Sequence, residues 1–235
     1  MKTKKKFAYR LTFYILGLLI LAFGIILNTK SGLGVSPIIS VSYSISTIAE
    51  LNFGNTTFGL YTIFVCIELL LHSIQYRKNK KNDDKERDTR PLSLILGADL
   101  LQLPLSLVFT RFMNLFSAWI SAPEPGTVLQ YVVLIGGIIL TGIGAAMSLD
   151  MRIIPNPGDG IVQAIADTIH RSVGFTKNCF DLFNICITIS VGLLFAHHLI
   201  GVGVGTVLAV LGVGRVIALF NKCFMKPMLA ASGLD

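Results

Sequence analysis

The 235-residue chain is 53% hydrophobic and only 14% charged, with a formal net charge of +7 at pH 7. Soluble domains carry roughly 25% charged residues, and a soluble core could not bury this many long apolar runs, so the composition excludes a soluble protein and indicates an integral membrane protein. The positive charge does not indicate nucleic-acid binding, because the cations lie beside apolar segments, where they set the orientation in the membrane.

Six apolar segments have the length of a membrane-spanning helix, which needs about 20 residues. The first follows a basic N-terminus and resembles a signal peptide, but no small-residue cleavage site follows it, so we interpret it as a permanent helix. A charged cytoplasmic loop at about 75–91 follows the second segment. The six predicted spans are 11–27, 58–74, 92–116, 128–149, 178–195 and 199–220.

Two shorter apolar segments follow the first and the fourth span. The first covers about 14 residues, or about 21 Å as a helix, and is too short to cross the membrane. Ser36 is predicted to be its N-cap, with Pro37 at the first helical position. Asn156 and Pro157 repeat this arrangement in the second segment, with Asp159 in the first turn.

These short segments belong to an internal repeat, since a shift of 120 positions places Pro37 on Pro157 and also aligns several glycines. The repeat predicts a first half at 1–110, extending to 116, a second half at 128–222 and a short cytoplasmic tail at 223–235. Three spans in each half would insert the second half upside down. The predicted fold class is therefore an all-α membrane protein with two inverted three-helix repeats, an arrangement typical of transporters and channels.

The distribution of Lys and Arg predicts the orientation. With the N-terminus inside and neither short segment crossing, most of the 20 Lys and Arg fall on the cytoplasmic side. Cytoplasmic loops of membrane proteins carry this excess of cations. Both termini are therefore predicted to be cytoplasmic.

The short helices allow two interpretations. As re-entrant half-helices, their N-terminal ends would meet near the midplane and favour an anionic or strongly polar ligand, because each end carries about half a positive charge. Alternatively, they are amphipathic helices that lie in the membrane interface.

Two acidic residues are predicted to lie inside the spans. Glu68 and Asp99 would each lie about 10 Å from the inner helix end. An intramembrane charge costs at least about 2.5 kcal/mol unless it is paired, hydrated or protonated, so these acids mark either a functional site or a structural pair. The full set of candidate substrate-binding residues is Ser36, Pro37, Tyr61, Glu68, Asp99, Gln102, Asn156, Pro157, Asp159 and Asp181.

The sequence predicts no enzyme, metal site or cofactor, since the common catalytic and phosphate-binding motifs are missing. The cysteines lack zinc-ligand spacing and are interpreted as buried thiols. They are Cys66, Cys179, Cys186 and Cys223.

The motifs Gly-Leu-Gly-Val-Ser-Pro at 32–37 and Pro-Asn-Pro-Gly-Asp-Gly at 155–160, on this helix pattern, resemble the YitT/YczE family of bacterial membrane proteins, in the form without a soluble C-terminal domain. The resemblance implies a multi-pass protein of the bacterial plasma membrane, commonly without an assigned activity. Many relatives carry Trp-Asp after the first proline, where this chain has Ile38 and Ile39. Asp159 keeps the acid in the second half only.

Two functions remain open at this point. The repeat, the capped half-helices and the intramembrane acids favour a transporter or channel for a small polar or anionic solute. The charged loop favours a non-transport scaffold or regulatory subunit that contacts lipid and binds a cytoplasmic partner through Arg77–Arg90.

Overall fold

In the computed structural model of the protein, the backbone is described for residues 2–82 and 91–234, and the side chains for residues 5–78 and 91–234. The described chain is helical, with short connections. Its helices are α1 (Lys2–Lys30), α2 (Pro37–Ile48), α3 (Phe53–Asn82), α4 (Leu92–Trp119), α5 (Val128–Asp150), α6 (Pro157–Ile169), α7 (Val173–Val191), α8 (Val204–Phe220) and α9 (Lys226–Ser232).

Six long apolar helices confirm the predicted all-α membrane architecture. Single turns of π-helix at Gly192–Ala196 and Asn221–Met225 extend α7 and α8. The sixth span therefore runs over Val204–Ser232, and most of the predicted tail at 223–235 continues this helix. The protein is thus a polytopic membrane protein.

Two helices begin earlier than their apolar runs predict, because polar residues cap them. The side chain of Asn52 accepts a hydrogen bond from the backbone N–H of Asn55 at 3.0 Å, at the start of α3. The side chain of Ser172 accepts one from Phe175 at 3.3 Å, at the start of α7. A cap of this kind pairs helix-end donors outside the apolar segment.

The short helices α2 and α6 begin at Pro37 and Pro157, as predicted. Asn156 caps α6, since its side-chain oxygen accepts a hydrogen bond from Gly158 N at 3.1 Å. The prediction that the Ser36 side chain caps α2 is wrong, because its hydroxyl makes no capping bond. Ser36 contributes to the first turn through its backbone carbonyl, which accepts a hydrogen bond from Ile39 N at 3.2 Å.

Helices α1 and α5 cross as antiparallel neighbours at four glycines. A Cβ atom added to Gly17 would lie 3.1 Å from the carbonyl oxygen of Gly144, and one added to Gly137 would lie 3.0 Å from that of Gly24. The shift of 120 positions converts the first pair into the second. Equivalent helices of an inverted repeat would cross in this way, and the full inverted repeat stays a prediction.

The outward faces of the long helices are apolar. Ile63 is 57% exposed, Leu70 63% and Val132 58%, as expected of side chains that contact lipid. The interpretation of the cysteines as buried thiols is wrong, since all four are exposed. Their helical positions fall on these outward faces, whereas small and polar side chains take the interior ones.

Candidate functional site

The N-terminal ends of α2 and α6 lie at one cavity of about 50 Å³. Ser36 and Ile38 line it from the start of α2, and Asn156, Gly158 and Asp159 from the start of α6. The rest of the lining comes from α1, α3, α5, α7 and α8. Both short helices therefore contribute their first turns to a single site.

The two first turns are in contact. A Cβ atom on Gly158 would lie 2.9 Å from Cγ1 of Ile38. The cavity also borders Leu21 of α1 and Thr141 of α5, each nine residues from the nearer end of its span, at Lys30 and Asp150 respectively. This geometry fits the interpretation of convergent half-helices and does not fit helices at opposite membrane surfaces.

Thr141, which lines the cavity, has an unpaired hydroxyl group close to Gly24 of α1. Its side chain is only 5% exposed, and its Oγ1 has no hydrogen-bond partner within the described part of the chain. Other intrahelical threonines donate to the carbonyl four residues earlier, as Thr29 does to Ile25 and Thr188 to Asn184. Buried polar groups are normally hydrogen-bonded, so an unpaired hydroxyl at a cavity marks a place where a ligand can bind.

Charged groups of α6 and α7 lie on one side of the cavity. Lys177 Nζ donates to Asp181 at 3.1 Å, and Lys177 and Asp159 both line the cavity. Burial raises the pKa of the Asp159 carboxyl group, Lys177 lowers it and Asp181 raises it. Lys177 is therefore paired directly with Asp181 and acts on Asp159 through space.

A second cluster of polar side chains joins α3 to α4. Glu68 and Gln102 are each 1% exposed, and Gln102 Nε2 donates to Glu68 Oε2 at 2.6 Å. Glu68 Oε1 and Gln102 Oε1 have no partner among the described residues. A Cβ atom on Gly160 would lie 2.8 Å from Glu68 Oε1 and 3.0 Å from Gln102 Oε1, so α6 covers this pair with bare backbone.

One turn further along, His72 pairs with Asp99. The distance between His72 Nδ1 and Asp99 Oδ2 is 2.7 Å, and the Asp99 side chain is buried whereas His72 is partly exposed. Gln75 then donates to Thr168 Oγ1 of α6 at 2.6 Å. Polar side chains thus follow one face of α3 from Glu68 towards its C-terminal end.

The predicted site residues fall into two groups. Ser36, Tyr61, Asn156 and Asp159 line the cavity, Pro37 and Pro157 begin the helices beside it, and Asp181 holds Lys177. Glu68, Asp99 and Gln102 form the second cluster.

Sequence reasoning missed three residues of these groups. Thr141 lies in an apolar run, His72 lies two residues before the end of the predicted span 58–74, and Lys177 lies one residue before the predicted span 178–195. Their sole sequence signal is a polar side chain in or beside an apolar span. The proposed partner segment Arg77–Arg90 lies largely outside the described residues, which exclude 83–90.

A family of unknown function, DUF6198, matches residues 8–84 and 87–222 of this chain. The chain belongs to this family. It is also similar to an uncharacterized protein of Haemophilus influenzae, with 27% identity over 131 residues. That match covers 56% of this chain and spans 56% of the relative's length. No solved structure matches the chain. The family match does not name YitT/YczE, so that resemblance stays a prediction.

Proposed function

We propose that this protein is a transporter or channel that binds a small anionic or strongly polar solute at the cavity between α2 and α6. The observation that carries the proposal is the meeting of two helix N-terminal ends at one cavity, whose lining includes Thr141, a residue with an unpaired hydroxyl. Helix N-terminal ends favour negative charge, and a free hydroxyl adds a donor with defined direction. No catalytic step is part of the proposal.

The charges and donors of the lining support this solute class. Ser36, Tyr61 and Thr141 offer hydroxyl groups, and Lys177 offers an ammonium group. Asp159 opposes an anion, so we expect a solute that also carries a donor, or one that binds best when Asp159 is protonated. The cavity of about 50 Å³ is far smaller than the roughly 300–1,000 Å³ of typical ligand pockets, so the solute is small or the site widens when it binds.

We further propose the finer points of membrane placement. The antiparallel glycine crossing of α1 and α5 supports an inverted repeat with the cavity at the interface of its halves. The distribution of cations supports cytoplasmic termini. Location in the bacterial plasma membrane and kinship with the YitT/YczE family are supported by the paired motifs at 32–37 and 155–160.

A thermal-shift screen of the purified protein tests the solute class. The probes are chloride, nitrate, sulfate, phosphate and acetate, with urea and glycerol as neutral polar compounds. A compound that binds only the folded state raises the melting temperature. Active compounds then enter a flux assay with the protein in liposomes.

The matched variants are Thr141→Val and Thr12→Val, because Thr12 is an exposed threonine of α1 that donates to Ala8 at 2.9 Å. We expect Thr141→Val to lose the thermal shift and the flux, and Thr12→Val to keep both. If none of the probes shifts the melting temperature or crosses the liposome membrane through the protein, the transport proposal is wrong. A scaffold or regulatory role would then be the better explanation.

A further inference from the structure

The buried pair formed by Glu68 and Gln102 has fewer hydrogen-bond donors than its oxygen acceptors require. Gln102 donates one bond to Glu68 Oε2, yet Glu68 Oε1 and Gln102 Oε1 both lack a donor in the described part of the chain. Both oxygens lie within 3.0 Å of one point, the Cβ position of Gly160. A buried acceptor without a donor is unfavourable, because it has lost its hydrogen bonds to water.

Rotating the Gln102 amide by half a turn does not remove the shortage. The amide would then donate to the other carboxylate oxygen, and its own oxygen would still face an acceptor. An ionised carboxylate only accepts hydrogen bonds, whereas a protonated carboxyl group also donates one. A single added proton therefore supplies the donor that the pair lacks.

We propose that Glu68 is a proton-binding site, in which a proton on Oε1 is donated to Gln102 Oε1 and closes a two-bond acid–amide pair. We propose further that this proton is the coupling ion of transport, a part that rests on the proposed function. The cavity would then bind the solute, and the Glu68–Gln102 pair would bind the proton.

The surroundings of the pair support this assignment. The charged groups that act on the pair are Asp99 on α4 and His72 on α3, which are paired with each other, and Asp167 of α6 acts in turn on His72. Helix α6 presents the bare backbone of Gly160 to the carboxyl group. Ionising Glu68 would thus place a charge in the membrane interior against a single amide donor, which is unfavourable.

His72 provides a route by which the proton on Glu68 can reach solvent. It lies four residues after Glu68, on the same face of α3, and its side chain is 21% exposed. On release, the O–H bond of Glu68 breaks and a ring nitrogen of His72 accepts the proton, directly or through one water. His72 then gives the proton to solvent, while Asp99 stabilises the imidazolium form.

Infrared difference spectroscopy tests the proton site without any solute. The purified protein in lipid is titrated upwards from neutral pH, and the carbonyl band of a protonated carboxyl group is followed. We expect the wild type to lose this band as the pH rises and Glu68→Gln to lack it. Glu124→Gln, at an exposed loop position, is the matched control and should keep the band and its titration.

A second variant covers the case in which Glu68→Gln does not fold. Gln102→Ala removes the amide partner, so the carboxyl band should persist and move to higher frequency. A neutral-pH spectrum without the band, or a band that Glu68→Gln leaves unchanged, would overturn the proposal. Stabilisation by Na⁺ that requires Glu68, without a carboxyl band, would also overturn it by assigning the pair to a metal ion.

The coupling is tested separately in liposomes with a solute found in the thermal-shift screen. We expect an imposed pH gradient to drive uphill uptake by the wild type and not by Glu68→Gln, which should still exchange solute downhill. If Glu68 shows the carboxyl band but solute flux does not depend on the pH gradient, the proposed coupling is wrong. The proton-binding site itself would then still be supported. If no solute crosses the membrane through the protein, the proposed function is contradicted. The infrared spectrum would still test whether Glu68 binds a proton.

Discussion

Ile38 lies against Gly158, so the first turns of two short helices from distant parts of the chain touch each other. The contact depends on the missing side chain of Gly158, because a Cβ there would come within 2.9 Å of Ile38 Cγ1. Two segments related by a shift of 120 positions thus act as one structural unit. Substitutions in the first turn of either short helix should therefore alter the shape of the cavity that both helices line.

The two N-cap positions should respond differently to alanine. Asn156→Ala removes the bond to Gly158 N and should lower the free energy of unfolding by about 0.5–2 kcal/mol. Ser36→Ala removes no capping bond and should leave stability nearly unchanged. Chemical unfolding of both variants in detergent measures the difference, and an equal loss of stability in both would contradict it. Both variants should weaken solute binding, since both residues line the cavity.

Adjacent glycines of α5 provide a matched test of the helix crossing. A Cβ on Gly137 would lie 2.6 Å from the backbone nitrogen of Asn28, whereas one on Gly136 meets nothing within 4 Å. Gly137→Ala should therefore destabilise the protein by about 1–3 kcal/mol, the usual cost of overpacking. Gly136→Ala should be neutral or slightly stabilising, because alanine favours helix. Equal melting temperatures for the two variants would refute the close crossing.

The pH dependence of stability should carry a contribution from Asp159. Burial raises the pKa of this carboxyl group in the folded state, so the folded protein holds more protons than the unfolded chain. Stability from this group is therefore present below its ordinary pKa of about 3.9 and is lost as the pH rises through the folded pKa.

Asp159→Asn should remove that loss. The melting temperature of Asp159→Asn minus that of the wild type should increase as the pH rises. At low pH the two melting temperatures should become equal. Asp167→Asn controls for the removal of one carboxyl group from the same helix, since Asp167 is exposed. A difference that shrinks with rising pH would show that the sign is wrong.

Membrane orientation can be measured by cysteine labelling. The four native cysteines are exposed and must first be replaced. A single cysteine placed in 118–127 should then react with a membrane-impermeant reagent from outside, and one placed in 79–88 should not. The reverse pattern would rule out cytoplasmic termini.

Local features of the short helices could be predicted from the sequence. Proline fixes its own φ and has no N–H to lose, so Pro37 and Pro157 mark the first helical position whatever packs around them. The side-chain bond of a cap is less certain, because a hydroxyl can rotate away from the helix end. That freedom explains why the backbone start at Ser36 was right and its side-chain bond was wrong.

The composition of the two polar clusters depends on packing between helices and could not be predicted. Thr141 and Lys177 reach the cavity from α5 and α7, and nothing in their local sequence fixes the rotation of those helices. His72 lies near the end of the apolar run, which stops at 74, but α3 continues to Asn82. With the helix extended, His72 lies inside the bundle and meets Asp99.

The glycine crossing of α1 and α5 also has a consequence for biosynthesis. Gly137 leaves the ribosome 120 residues after Gly17, a delay of about 6–24 s at about 5–20 residues per second. During this interval the bare glycine face of α1 has no partner helix. Asn28 lies on the same helix, and it is fully buried in the complete fold. A nascent chain that stops before residue 128 would never cover this surface, so quality-control proteases should degrade the first half made alone.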